Sequence, residues 1–176
     1  MGIRLTLTDI LVKLCGLALV KHPRALAQWT PDGLRHAAGV NIGVATDTPA
    51  GLVVPVIRDA DRIGLDEVAR RRTELVERAR AGKSLLQHFE QGVFTLTNLG
   101  MSRVDSFDAI LNPPQAAILA VGRIKERAIA LDGQLAIEPT MQLRLSVDHR
   151  VPDGAAAARL LDDMVVVIEK PSLAHA

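Results

Sequence analysis

Ser146-Val147-Asp148-His149-Arg150-Val151-Pro152-Asp153-Gly154 gathers a histidine, two acids, an arginine and a glycine at the end of an apolar alternating run. Ala155 to Leu161, a strong helix-forming segment, follows at once. A histidine between a buried strand and a helix start is well placed for chemistry, since an ordinary pKa of about 6.5 lets it take and return a proton near neutrality. Asp153 lies one helical turn's spacing beyond it, where it would either orient the ring or hold the turn. Pro152 restricts the backbone and Gly154 admits close approach. The same residues also suit an ordinary strand-to-helix corner, so the rest of the chain has to decide between the two.

Outward from this stretch, Leu135 to Val147 reads as one long strand running into His149, preceded by a hairpin turn at Leu131-Asp132-Gly133-Gln134. Ala116 to Ile124 reads as a buried strand behind the hard break Asn112-Pro113-Pro114, and Ala155 to Lys170 as a closing helix. Val93 to Thr97 alternates like a half-buried strand and ends in Asn98-Leu99-Gly100, placing a hydroxyl, a carboxamide and a glycine at one strand terminus. Leu65 to about Ala81 has helical spacing closed by Gly82, with Arg70-Arg71-Arg72 expected on a solvated face. Val40 to Thr46 and Leu52 to Ile57 read as strands around the turn-rich loop Thr46 to Gly51, with Pro55 pointing to an edge or bulge. Trp29 to Gly39 is expected as a polar connector turning at Pro31-Asp32-Gly33. Thr6 or Thr8 caps a first helix reaching about Lys21, with Asp9 in its first turn. That helix is apolar nearly all round, so it is buried or lies against a partner. His22-Pro23 ends it, with His22 expected at the C-terminal, dipole-favoured position.

A chain of 176 residues, 48% hydrophobic and 23% charged, suits one compact domain over 1–176 with a real core. A net charge of +1 gives no support to nucleic-acid or anionic-membrane binding, and three Phe, one Trp and no Tyr leave few stacking platforms. Cys15 stands alone, which excludes an intrachain disulfide and fits a reducing compartment. Its apolar stretch, Ile10 to Val20, is interrupted by Lys13 and too short to span a bilayer. With no signal-peptide pattern before or after it, a cytoplasmic location is expected.

The five histidines are scattered, with no HxxxH, HExxH or cysteine cluster, and neither a Walker loop nor a GxSxG elbow is present. What remains is a histidine base at one strand end and a hydroxyl-amide cluster at another. Those parts suit an acyl transfer whose nucleophile comes from a substrate.

Seven blocks in order carry a family resemblance: Thr8-Asp9-Ile10-Leu11-Val12-Lys13, His22-Pro23, Val40-Asn41-Ile42-Gly43-Val44-Ala45, Gly51-Leu52-Val53-Val54-Pro55-Val56-Ile57, Phe94-Thr95-Leu96-Thr97-Asn98-Leu99-Gly100, Asn112-Pro113-Pro114-Gln115-Ala116 and Asp148 to Gly154. With them, residues 6–170 resemble the catalytic domain of the dihydrolipoyl acyltransferase component of 2-oxo acid dehydrogenase complexes. The resemblance implies an α/β two-layer sandwich, a mixed β-sheet of about five or six strands with helices on one face. Chloramphenicol acetyltransferase shares that fold more distantly.

It further implies that His149 is the base for the thiol of coenzyme A, and that Thr97, where the family carries Ser or Thr, meets the oxyanion. Asp153 takes a structural or orienting role, and Asn98 and Gly122 match coenzyme A contacts. No metal site is implied. The active site would lie between subunits of a homotrimer, served by a lipoyl group on a separate lipoyl domain and by decarboxylase and dihydrolipoyl dehydrogenase components. The family domain has a further helix and strand ahead of Thr8-Asp9, so a chain lacking that N-terminal portion is expected. Pro171 to Ala176 lacks the apolar tail that joins trimers into larger cores. A non-catalytic core or assembly subunit is the alternative reading.

Overall fold

In the first helix, α1 (Leu7–Leu19), Thr6 and Asp9 cap each other: the Asp9 carboxylate accepts from Thr6 N at 2.8 Å while the Thr6 hydroxyl accepts from Asp9 N. The computed structural model describes residues 4–172, so residues 173–176 of the C-terminal run lie outside the described residues. The alternatives for α1 resolve within the chain itself. Leu11, Val12, Cys15 and Leu19 are fully buried, and a Cβ on Gly16 would stand 3.0 Å from the backbone of Ala60 and Asp61. Lys13, the one charge interrupting the apolar stretch, donates to the carbonyls of Asp61 at 2.7 Å and Ile63 at 2.8 Å. Burial lowers its pKa from the ordinary lysine value. The helix stops at Leu19, and His22 instead caps a short 3₁₀ turn (Pro23–Leu26). Its Nε2 lies 2.7 Å from the Asp163 carboxylate, so a specific partner replaces the expected dipole contact.

The expected connector is a hairpin, β1 (Ala27–Thr30) with β2 (Gly33–His36), turning through Gly33 at φ 112°. Its strands are four residues long and β2 is largely exposed, so no apolar alternation betrays them. The next two expected strands each divide: β3 (Ile42–Val44) from β4 (Thr46–Thr48), and β5 (Gly51–Val53) from β6 (Val56–Ile57). Pro55 has no N–H for a ladder and sits at the second division, accepting from Val44 N at 2.9 Å. Then follow α2 (Leu65–Arg80), β7 (Phe94–Asn98), β8 (Ala117–Val121), β9 (Lys125–Leu131), β10 (Gln134–Thr140), β11 (Leu143–Val147) and α3 (Gly154–Glu169). The long strand expected over 135–147 is broken at Met141-Gln142, because β10 pairs with β9 in a separate ribbon while β11 pairs with β8.

Five strands make a mixed sheet in the order β11-β8-β7-β3-β6, with parallel pairs at its centre and antiparallel pairs at both edges. Ile42, Val44, Phe94, Leu96, Ala117, Leu119 and Val121 point to one face and pack on Leu11, Cys15, Val68, Leu160 and Met164 of the helices. The architecture is thus an α/β two-layer sandwich. Alternation turns Gly43, Thr95, Thr97, Ile118 and Ala120 to the opposite face. Among the described residues, no helix is long and apolar enough to cross a membrane.

The arginine run does not lie wholly in solvent. Arg70 and Arg71 grip Glu67, whose carboxyl is held down to about 2 mainly by the Arg70 hydrogen bond. Arg72 reaches inward to the buried Asp9.

Candidate active site

The turn carrying His149 is fixed on both sides of the histidine. Asp148 N donates to Ala116 O at 2.8 Å, extending the β11–β8 ladder by one residue. The Asp148 carboxylate accepts from Arg150 Nε at 2.9 Å and Nη2 at 2.6 Å, which holds its pKa below the ordinary carboxylate value. The folded-back Arg150 guanidinium lies 5.2 Å from the centroid of the Trp29 ring, within cation–π range. Val151 is buried in a small cluster with Ala27 and Ala116. His149 itself is exposed. Its Nε2 lies 3.9 Å from where a Cβ on Gly154 would stand, so the ring sits against the first residue of the following helix.

Asp153 holds the turn. It is the N-cap of α3, its Oδ1 accepting from Ala156 N at 2.8 Å, with Arg24 Nη1 3.7 Å from Oδ2. The Ala156 amide is the leading cause of its lowered pKa. None of these contacts is to His149.

Thr97 is half-buried on the helix-free face of β7, two residues along from Thr95, whose hydroxyl is bound to Gln115 Oε1 at 2.5 Å. Asn98 turns to the helix side: its amide nitrogen donates to Thr8 Oγ1 at 3.2 Å and its oxygen accepts from Gly100 N at 2.7 Å. Gly122 is required by backbone crossing, since a Cβ there would fall 1.9 Å from Asp105 O. The geometry therefore gives both of these residues structural work.

Sheet register keeps His149 and Thr97 apart. Thr97 pairs with Ala120, and Ala120 pairs with Arg144 on β11. His149 is five residues beyond Arg144, roughly 16 Å along the strand direction and two strands over. One copy therefore places its hydroxyl at one end of the sheet and its imidazole at the other. A cavity of about 660 Å³ at the end where β7 and β8 begin is lined by Gln28, Asn41, Glu90 and Gln115 among others, and by none of the expected site residues. The Trp29–Arg150 clamp was missed by sequence reasoning; its only signal is a lone tryptophan in an aromatic-poor chain.

The family model for 2-oxoacid dehydrogenases acyltransferase (catalytic domain) matches residues 1–176. The chain belongs to this acyltransferase family. Among relatives of this acyltransferase-family chain is the dihydrolipoyllysine-residue acetyltransferase component of the pyruvate dehydrogenase complex of Rickettsia felis. The two are 38% identical over 170 residues, covering 97% of this chain and 41% of the relative. The mitochondrial counterpart of Schizosaccharomyces pombe is 39% identical, covering 96% and 35%. The chain thus spans about two fifths of the length of the first curated relatives it matches.

The cubic core of the pyruvate dehydrogenase multienzyme complex superposes with a TM-score of 0.92 at 35% identity, covering 99% of this chain and 73% of that one. The dihydrolipoamide acetyltransferase of Azotobacter vinelandii gives 0.92 at 36%, with the same coverage. Chloramphenicol acetyltransferase, at 12% identity and a TM-score of 0.54, covering 90% of this chain and 76% of that one, shares the fold alone.

Proposed function

We propose that the chain is the catalytic domain, over 1–176, of an acyltransferase moving an acyl group between dihydrolipoamide and coenzyme A, with the site assembled from two copies of a homotrimer. The observation that carries this reading is the exposed His149 on a fixed turn at one end of the sheet and Thr97 at the other, a division that two copies can close and one cannot. The Azotobacter enzyme is described in terms of the roles of a serine, a histidine and an asparagine in its catalytic mechanism. Those three are spaced along its sequence at the same intervals as Thr97, His149 and Asp153 here. Serine for threonine keeps the hydroxyl, and asparagine for aspartate keeps a good helix N-cap.

His149 takes the proton of the coenzyme A thiol, and the freed sulfur forms a bond to the thioester carbonyl carbon. The Thr97 hydroxyl of a neighbouring copy donates to the oxygen that gains the negative charge. Such a donor is worth about 3 kcal/mol when it is aimed at the transition state. As the tetrahedral centre collapses, the bond to the lipoyl sulfur breaks and His149 returns the proton to that sulfur. Asp153 contributes by fixing the helix start behind the ring. The names of the relatives favour acetyl as the group moved. They also favour a pyruvate dehydrogenase complex as the setting; the family resemblance adds a lipoyl domain, a decarboxylase and dihydrolipoyl dehydrogenase as the proposed partners. The single buried thiol supports a reducing, cytoplasmic location.

The test is transfer from S-acetyl-dihydrolipoamide to coenzyme A by the assembled protein. Loss of at least a hundredfold in kcat is expected for His149→Ala. Turnover unchanged in that variant rejects His149 as the base, whereas no turnover by the wild-type assembly favours a non-catalytic assembly subunit.

A further inference from the structure

Where β8 leaves the sheet beyond Val121, Arg123, Lys125 and Arg127 follow at alternate positions, so the extended backbone turns all three toward one side. They converge on a single carboxylate. Arg123 Nε donates to Asp105 Oδ1, while Lys125 Nζ and Arg127 Nη2 stand off from Oδ2 at 3.8 Å and 3.6 Å. Three cations around one anion leave the cluster with two positive charges in excess. Arg127 spends Nη1 on Thr140, donating to its carbonyl at 2.9 Å and its hydroxyl at 2.7 Å. Its Nη2 is shut off from solvent and has no hydrogen-bond partner among the described residues. Glu138, across the ribbon from Arg127, is exposed and forms no ion pair with it among the described residues.

A buried guanidinium N–H with nothing to donate to is costly. The deficit here has a definite sign and shape: an acceptor oxygen carrying negative charge, approached by three donors. Arg guanidinium forks and a Lys ammonium match the oxygens of a phosphate group. A helix terminus plays no part, and Asp105 meets Lys125 and Arg127 as ion pairs at 3.8 Å and 3.6 Å, one carboxylate shared among three cations.

The position matters as much as the charge. Thr97 pairs with Ala120 and Asn98 with Val121, so Arg123 begins the cluster three residues past the register partner of Thr97, roughly 10 Å along the strand. The cluster therefore lies at the Thr97 end of the sheet, away from the turn of His149 that the same copy carries.

We infer that Arg123, Lys125 and Arg127, around Asp105, form a phosphate-binding subsite. On the acyl-transfer reading, on which this identification of the source rests, it holds a phosphate of coenzyme A while the pantetheine arm carries the thiol toward Thr97. The shared chemistry is the phosphate oxyanion, and free pyrophosphate would bind by the same contacts.

Calorimetric titration of the full chain with coenzyme A, with pantetheine, and with inorganic pyrophosphate separates the possibilities. The expected result is coenzyme A binding at least tenfold tighter than pantetheine, and weakened about tenfold by Arg127→Gln. Pyrophosphate binding should weaken in parallel. Lys125→Gln, whose ammonium makes no hydrogen bond among the described residues, serves as the second variant where Arg127→Gln disturbs the ribbon; a severalfold loss with unchanged thermal melting is expected. Pyrophosphate bound by the chain and lost in these variants, with no binding of coenzyme A, would keep the subsite and overturn the acyl-transfer source. Coenzyme A affinity unchanged in both variants, or no binding of pyrophosphate or coenzyme A at all, overturns the subsite.

Discussion

The fully buried carboxylate of Asp9, at the start of α1, receives Arg72 Nε of α2 at 2.5 Å, with Arg72 itself largely covered. One acid thus serves as helix cap and as the ionic tie between two helices. Arg72→Leu leaves that carboxylate buried without its cation, and a loss of about 3 kcal/mol in unfolding free energy is expected by denaturant titration. Arg70→Leu, which removes only exposed pairs with Glu67 and Glu74, is expected to cost less than about 1 kcal/mol. Equal losses in the two variants would contradict this assignment.

Hybrid assemblies test the division of the site between copies. His149→Ala and Thr97→Val chains are each expected to lose activity, the latter by about a hundredfold. Chains of the two kinds, unfolded together and reassembled, should regain a measurable fraction of wild-type turnover, because some interfaces then carry both native groups. No recovery in mixtures that assemble normally would mean that the two residues do not share a site.

Trp29 is expected to act on the chemistry through Arg150. Trp29→Ala should lower kcat about tenfold with KM for coenzyme A little changed, because the turn bearing His149 loses one of its fixings. Trp29→Phe keeps an aromatic face and should restore most of the rate. Equal losses in both variants would point to hairpin packing instead.

Asp153 gives a pH dependence with a definite sign. Its folded-state pKa is lowered, first by the Ala156 amide, so its contribution to stability is present above the unfolded value of about 3.9 and is lost as pH falls through the folded value below that. Asp153→Ala should melt below wild type at neutral pH, and the gap should close below pH about 3.9. Asp153→Asn should stay near wild type at neutral pH, since asparagine caps as well.

Cys15 is sealed in the core, and burial pushes its thiol up to about 12. Alkylation by iodoacetamide at neutral pH should proceed only as fast as the protein opens, and at the full rate of a free thiol in denaturant. Rapid labelling of the native protein would contradict the packing of α1.

The three long helices and the central strands were legible in the sequence: α2 and β7 by the spacing of their apolar residues, α1, β8 and α3 as apolar runs bounded by caps, prolines and turn residues. The β1–β2 hairpin was not, since strands of four residues, one with Ala27 and Gln28 buried side by side and the other largely exposed, leave no such repeat. Nor was the break at Met141-Gln142: both halves of 135–147 are extended, and only the identity of the neighbouring strand separates them. His149 alone also suited an ordinary strand-to-helix corner, and it stood out only beside the other six blocks in their order along the chain. The distance between His149 and Thr97 was hidden, because register is a relation between strands that a single strand's pattern does not contain. The partner of Trp29 comes from the far end of the chain, beyond the reach of any local motif.

The separation of His149 from Thr97 also sets the arithmetic of assembly. On the proposed reading, two copies joined at one interface complete a single catalytic centre and leave two halves idle, whereas a closed ring of three completes all its centres at once. Turnover per chain would then climb with ring closure more steeply than the folded fraction does. Dilution would silence the protein while its circular dichroism still looked native.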